Sequence, residues 1–414
     1  MNDLASAGEK NRRVRRPCGF LYWLAVFFTR IWLTLFFGLR LDRSGVRDVR
    51  GPVLLLCNHE SNYDFLLCAM GFPQLRFNYM VTTYFFHSRA LARTLRLMGC
   101  IPKKQFIPDP GAIKGVFEVV RGGGSVCIFP EGQVCYSGAM NDVDLSVAKL
   151  AKKLGITVAV ASVRGNYMAF PKWACGRKYP SRTEWSAKVL FTPEQLAAAT
   201  TEEVGAAILG ALSYDEFEWQ RARMYRSRRP RSTEGLEIVL YRCPACGGEP
   251  AMRSDGGRRL VCEKCGYEVT LNDACFFERD GGAPVFDSIS AWFRSEQAAV
   301  AAAIEAGGLP FSSPCSLHKT VDGRQGYTRC GEGTMTLDGD GIRFSGTKDG
   351  APFEAAALYE HQTTLTHSAS LCGVDVPGAG ENYLFAPADG RDMFRFIEGY
   401  LYMRKKKERA HTAG

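Results

Sequence analysis

The hydrophobic pattern divides the chain into stretches of different character. An apolar run covers 18–39 and is preceded by a basic stretch over 10–16. From 51 to about 212, strand candidates recur at 53–56, 77–84, 125–129, 157–161 and 187–191, the first a continuous apolar run. A continuous apolar run such as 53–56 predicts a strand buried on both faces. Helical patterns fall between them, at 63–70, 88–98, 113–121 and 145–154, and an interrupted one runs from Pro193 towards Trp219. Strands alternating with helices predict an α/β domain with a mostly parallel sheet covered on both sides.

Beyond 220 the pattern changes. An arginine-rich stretch over 221–231 reads either as a solvated linker or as a second contact with anionic lipid, where each basic residue contributes about 1 kcal/mol. Two cysteine pairs follow. The chain then turns glycine-rich, with β-like segments at 334–337, 342–344 and 353–357 and a helical pattern over 391–405. The expected organisation is a basic N-terminus and membrane-anchoring helix (1–45), an α/β domain (46–220), a basic linker (221–237), a zinc ribbon (238–275) and a β-rich C-terminal domain with a terminal helix (276–410). Strands closed by a helix suggest a pleckstrin-homology-like topology for the last part.

Charge and cysteine content narrow the partners. The net charge of +9 suits an anionic surface, lipid or nucleic acid. The 15 cysteines are mostly isolated among apolar residues, which suits a reducing compartment. No small-residue cleavage site follows the apolar run at 18–39, so a removed signal is not expected. The run is long enough to span a bilayer. Arg30 sits in its middle, however, and a charge at the bilayer centre costs about 2.5–3.5 kcal/mol. Its aromatic residues and basic flank favour a helix lying in the interface over one that spans. If it spans, the basic flank puts the N-terminus in the cytoplasm, and the expected location is the cytoplasmic face of the cell membrane, as a monotopic or single-span anchor. The apolar run also argues against nucleic acid as the main partner.

Two short motifs carry candidate chemistry. Asn58-His59-Glu60-Ser61-Asn62-Tyr63-Asp64 follows the first buried run and opens a helix. Groups at the carboxyl ends of parallel strands gather around ligands. A histidine there can take a proton from a hydroxyl, with a nearby acid fixing its tautomer. Alone, the spacing is common, and Asn62 or Asp64 could simply cap the helix. Phe129-Pro130-Glu131-Gly132 ends another buried run, and its glycine permits close backbone approach to a ligand.

Taken together, Asn-His-x-x-x-x-Asp and Phe-Pro-Glu-Gly, about 70 residues apart, resemble the lysophospholipid and glycerol-phosphate acyltransferase family, of the 1-acylglycerol-3-phosphate O-acyltransferase type. Gly99-Cys100-Ile101-Pro102-Lys103-Lys104 is similar to the family's intermediate block, and 158–163 leading to Pro171-Lys172-Trp173 to its last block. The resemblance covers roughly residues 20–215. It implies His59 as general base and Asp64 as its partner, Glu131 and Gly132 in the acceptor site, and Lys103 and Lys104 on the acceptor phosphate. Arg164 is a further phosphate candidate. It implies transfer of a fatty acyl group from acyl-CoA or acyl carrier protein to lysophosphatidic acid, with no organic cofactor. Family members often carry arginine where this chain has Lys103-Lys104-Gln105 and Gln133-Val134, and lysine lacks arginine's bidentate fork. A different acceptor, such as glycerol 3-phosphate or another lyso-lipid, is the alternative.

Cys243-x-x-Cys246 and Cys262-x-x-Cys265 have the spacing of a four-cysteine zinc site, closed and therefore structural. A non-enzymatic reading combines this ribbon, the basic stretch and the β-rich domain into a lipid- or nucleic-acid-binding adaptor. Recovery with membranes separates an adaptor on RNA from the enzyme readings.

Overall fold

The computed structural model describes residues 14–321, 325–362, 364–368, 373–377 and 381–413. Most of the basic stretch at 10–16 lies outside them. The apolar run forms helix α1 (Gly19–Phe37). It is followed by β1 (Arg40–Gly45), β2 (Val53–Cys57), α2 (Asp64–Gly71), β3 (Phe77–Thr82), α3 (Arg89–Leu97), β4 (Ile101–Lys103), α4 (Pro110–Arg121) and β5 (Ser125–Ile128). Then come α5 (Ser146–Leu154), β6 (Thr157–Arg164), β7 (Glu184–Phe191), α6 (Pro193–Ala198), α7 (Thr201–Leu212) and α8 (Glu216–Arg221).

These strands build a seven-stranded sheet in the order β1-β7-β6-β2-β5-β3-β4. Strands β6, β2, β5, β3 and β4 run parallel. Strand β7 is antiparallel to β6, and β1 follows β7. All five residues of β2 are buried, as its unbroken apolar run requires. Because side chains alternate across a strand, Leu55 and Cys57 join a core with Tyr22, Leu33 and Trp185. Leu54 and Leu56 join a second core with Val116, Val147 and Ile208 on the other face.

Helix α1 docks through one stripe, Tyr22, Val26, Leu33 and Phe37, spaced for a single helical face. Its opposite face is apolar and bare: Phe20 is 75%, Phe28 62% and Leu35 63% exposed.

A four-stranded antiparallel ribbon follows, made of β8 (Met252–Ser254), β9 (Arg259–Cys262), β10 (Glu268–Leu271) and β11 (Phe277–Glu278). After α9 (Ile289–Glu305) come β12 (Phe311–Thr320), β13 (Tyr327–Leu337), β14 (Gly341–Lys348), β15 (Ala351–Leu358), β16 (Thr366–Ser368), β17 (Gly373–Pro377) and β18 (Asn382–Pro387). They form a seven-stranded antiparallel sheet, ordered β15-β14-β13-β12-β18-β17-β16 and closed by α10 (Met393–Ala413).

Sequence reading missed α9. Its six alanines blur the apolar period, although Ser288 caps its N-terminus through Ala291 and Ile289, Trp292, Phe293, Val300 and Ile304 form a buried stripe. The arginine-rich stretch is largely exposed but tied to the fold at its two ends. Arg231 is 1% exposed, lies over the Tyr179 ring and donates to the carbonyls of Met168 (2.8 Å) and Asp273 (3.1 Å). Arg221 pairs with Asp287 at 2.6 Å. One continuous core runs from Tyr136, Tyr167 and Phe217 through the ribbon and α9 to Tyr400.

Candidate active site

Strands β2 and β5 are adjacent and parallel, so their carboxyl ends open on the same side of the sheet. His59 leaves β2 there, and Phe129 leaves β5. The two rings stack at 4.4 Å between centroids. The His59 Nδ1 lies 2.9 Å from Asp64 Oδ2. Asp64 is fully buried at the start of α2 and also accepts from the Ser61 amide (2.8 Å), the Ser61 hydroxyl (2.9 Å) and the Asn166 amide (2.7 Å). A carboxylate only accepts, so this contact puts the ring proton on Nδ1 and leaves Nε2 as a base.

The loop after β5 holds His59 by its backbone. Glu131 accepts the His59 N–H at 2.7 Å, and the Cys135 N–H donates to the His59 carbonyl at 2.9 Å. Glu131 also accepts the Asn141 N–H at 2.9 Å. Its carboxylate is buried and does not line the cleft in front of His59. This corrects the expectation that Glu131 faces an acceptor: its nearest donors are backbone amides, which turn it inward. Burial pushes its carboxyl up to about 8. Gly132 does line the cleft. It adopts φ +69°, and a Cβ there would meet the Phe106 ring at 2.7 Å, so conformation and space both call for glycine.

The cleft encloses about 2390 Å³. Its walls are largely apolar and include α1, α2, β3 and α3, with Leu24, Phe28, Phe65 and Leu95 among them. Lys103 and Lys104 both line it. The Lys103 ammonium donates to the carbonyls of Lys104 (2.5 Å) and Ile107 (2.8 Å), and burial lowers its pKa. Lys104 is exposed.

Arg164 lies elsewhere, which corrects its reading as a phosphate contact. It sits over the Tyr214 ring, 3.6 Å from Glu60 and 3.8 Å from Glu216. It is not a wall residue of the cleft. Both carboxylates are buried, and burial raises them, Glu216 to about 7 and Glu60 well above the usual range. Glu60 also accepts from the Asn58 amide (3.0 Å) and the Tyr167 N–H (3.1 Å). Asn58 in turn ties β2 to β6 through both backbone groups of Val163. Sequence reading missed Asn166. It follows the carboxyl end of β6, parallel to β2, and that placement was a usable signal.

The cysteine pairs meet as their spacing requires. The four sulfurs of Cys243, Cys246, Cys262 and Cys265 lie within 4.8 Å of one another, in a cluster that could hold a metal ion. The separations Cys243–Cys265 and Cys246–Cys262 are 3.7 and 3.8 Å. Tetrahedral zinc–thiolate bonds of about 2.3 Å imply sulfurs about 3.8 Å apart, so the donor set fits that ion.

Residues 40–164, the segment that carries both motifs, match the family model described as Acyltransferase. This part of the chain is similar to the acyltransferase family. A curated relative, the chloroplastic 1-acyl-sn-glycerol-3-phosphate acyltransferase BAT2 of Brassica napus, is 23% identical over 153 residues. The match covers 35% of this chain and 44% of that protein, so the chain spans less than half of its relative's length. Among solved structures, the 1-acyl-sn-glycerophosphate (LPA) acyltransferase PlsC of Thermotoga maritima aligns over 49% of this chain and 80% of its own, at 16% identity and a TM-score of 0.41. The matched segment contains His59 and Asp64 and part of the cleft wall, while α1, Lys172 and the C-terminal sheet complete that wall.

Proposed function

We propose that the protein transfers a fatty acyl group from a thioester donor, acyl-CoA or acyl carrier protein, to the hydroxyl of lysophosphatidic acid at a membrane surface. The 2.9 Å contact between His59 Nδ1 and Asp64, with the ring at the wall of a large apolar cleft, carries this reading. Nε2 takes the acceptor's hydroxyl proton as its oxygen attacks the thioester carbonyl. Asp64 stabilises the imidazolium that forms. The thiol leaves with a proton as the tetrahedral adduct collapses, and no acyl-enzyme is required. Cys57 is fully buried, which supports direct transfer.

Helix α1 supports a monotopic anchor on the cytoplasmic face. Its docked stripe ties it to the sheet, and its bare aromatic face suits insertion to the headgroup boundary. Cys243, Cys246, Cys262 and Cys265 would hold one structural zinc, which closes the ribbon and takes no part in transfer.

The test is transfer of labelled acyl groups from acyl-CoA to lysophosphatidic acid in detergent micelles. Wild type is expected to transfer, and His59→Ala to lose at least about a hundredfold. No transfer by wild type from either donor type overturns the reading.

A further inference from the structure

Two polar groups in the cleft have no use in the transfer step. Lys172, at the end of the stretch likened to the family's last block, lines the same cleft as His59 and Gly132. Among the described residues its ammonium makes no hydrogen bond or ion pair. Its contact is the face of the Tyr136 ring, at 4.6 Å. Tyr136 belongs to the loop after β5, one residue beyond the amide that holds the His59 carbonyl. Gln133, on the same loop, lines the cleft with its Oε1 enclosed and without a hydrogen-bond partner. A buried polar atom left unpaired costs about 1–3 kcal/mol, so it calls for a ligand. The other wall here comes from the C-terminal sheet: Tyr327 and Asp375, hydrogen-bonded to each other, and Asn382 line the cleft. Tyr327 also stacks on Tyr84 of the acyltransferase side at 5.8 Å.

We infer that Lys172 binds the phosphate of the acceptor and Gln133 accepts a hydrogen bond from its glycerol, in a subsite walled by the C-terminal sheet. This rests on the proposed transfer to a phosphate-bearing glycerolipid. The loop from Gly132 to Tyr136 contains no cation of its own, and Lys172 brings one to it from 36 residues beyond Tyr136. Burial pulls the ammonium down to about 8, and Asp375 opposes that shift, so Lys172 stays largely charged near neutral pH. Cys135 and Tyr136 on the loop and Asp375 on β17 are the groups that face it.

The full-length chain is assayed with lysophosphatidic acid and with the matching monoacylglycerol, which lacks the phosphate. Lys172→Met should raise KM for lysophosphatidic acid about tenfold or more and leave monoacylglycerol and acyl-CoA within about twofold. Lys172→Arg should restore most of the affinity. Gln133→Leu should raise KM for both acceptors alike and, carrying no charge change, reports on the subsite even if Lys172→Met misfolds. An unchanged KM for lysophosphatidic acid, or an equal rise for both acceptors with Lys172→Met, overturns the assignment. A rise confined to acyl-CoA overturns it too, because the anion bound is then the donor's phosphate. If wild type transfers to neither acceptor, the acyltransferase reading falls. The subsite is then judged by binding: equal retention of labelled lysophosphatidic acid micelles by wild type and Lys172→Met overturns it.

Discussion

Two polar clusters sit at the same edge of the sheet and begin with neighbouring residues. The one around His59 and Asp64 reaches the cleft, with His59 20% exposed and Asp64 buried behind it. The one around Glu60, Arg164 and Glu216 turns into the interior and is tied to Asn58, Tyr167 and the Gly165 N–H. Both combine carboxylates with a nitrogen-bearing side chain, and both are rich in hydrogen bonds. They differ in what lies in front of them. A base at the cleft wall can exchange a proton with a ligand there, whereas Arg164, no less exposed at 23%, lies off the cleft and spends its charge on Glu60 and Glu216. A motif of polar residues therefore contains two classes of side chain, and the alternation of the backbone after β2 decides which is which.

Substitutions can break this contrast. The largest effect is expected from His59→Ala: loss of about 10²–10⁴ in kcat with thermal stability unchanged, read by acyl transfer and by melting. Arg164→Met should do the reverse. It leaves the buried carboxylates uncompensated and should cost about 3 kcal/mol in denaturant unfolding, the low end of the range because Arg164 is 23% exposed. Residual folded protein should keep its KM for lysophosphatidic acid. A variant that stays stable but loses acceptor affinity would move Arg164 to the substrate side. Removing metal with a chelator, or Cys243→Ser with Cys262→Ser, should cost several kcal/mol and release about one zinc per chain, read by metal analysis and melting. A pH titration sharpens the comparison at Glu131. Burial raises its folded pKa to about 8, so the folded state holds a proton that the unfolded state has lost. Stability should then fall as pH rises from about 4.5 to about 8 and level off above. Glu131→Gln should flatten that slope in denaturant titrations across the window, and an unchanged slope would show that Glu131 ionises normally.

Much of the first sheet was legible because β2, β5 and β6 are continuous apolar runs, which only a doubly covered strand tolerates. The meeting of His59 with Asp64 was legible because a turn of four residues separates them. So were the four cysteines, whose spacing leaves little choice of geometry. The inward turn of Glu131 was not, since it depends on where the His59 and Asn141 amides fall in space. Arg164 misled for the same reason: its partner Glu216 is 52 residues away on α8. Lys172 and Asp375, 203 residues apart in the chain, approach one cleft, and no local pattern reports that.

The core that begins at Tyr136 and ends at Tyr400 does not stop at the acyltransferase segment. Severing the chain after α8 would strip Tyr136, Tyr167, Trp173 and Phe217 of their cover and leave a sticky, half-dressed sheet beside the lipid surface. A minimal fragment bearing both motifs would thus aggregate rather than work, and any search for activity has to begin with the ribbon and its neighbours still attached.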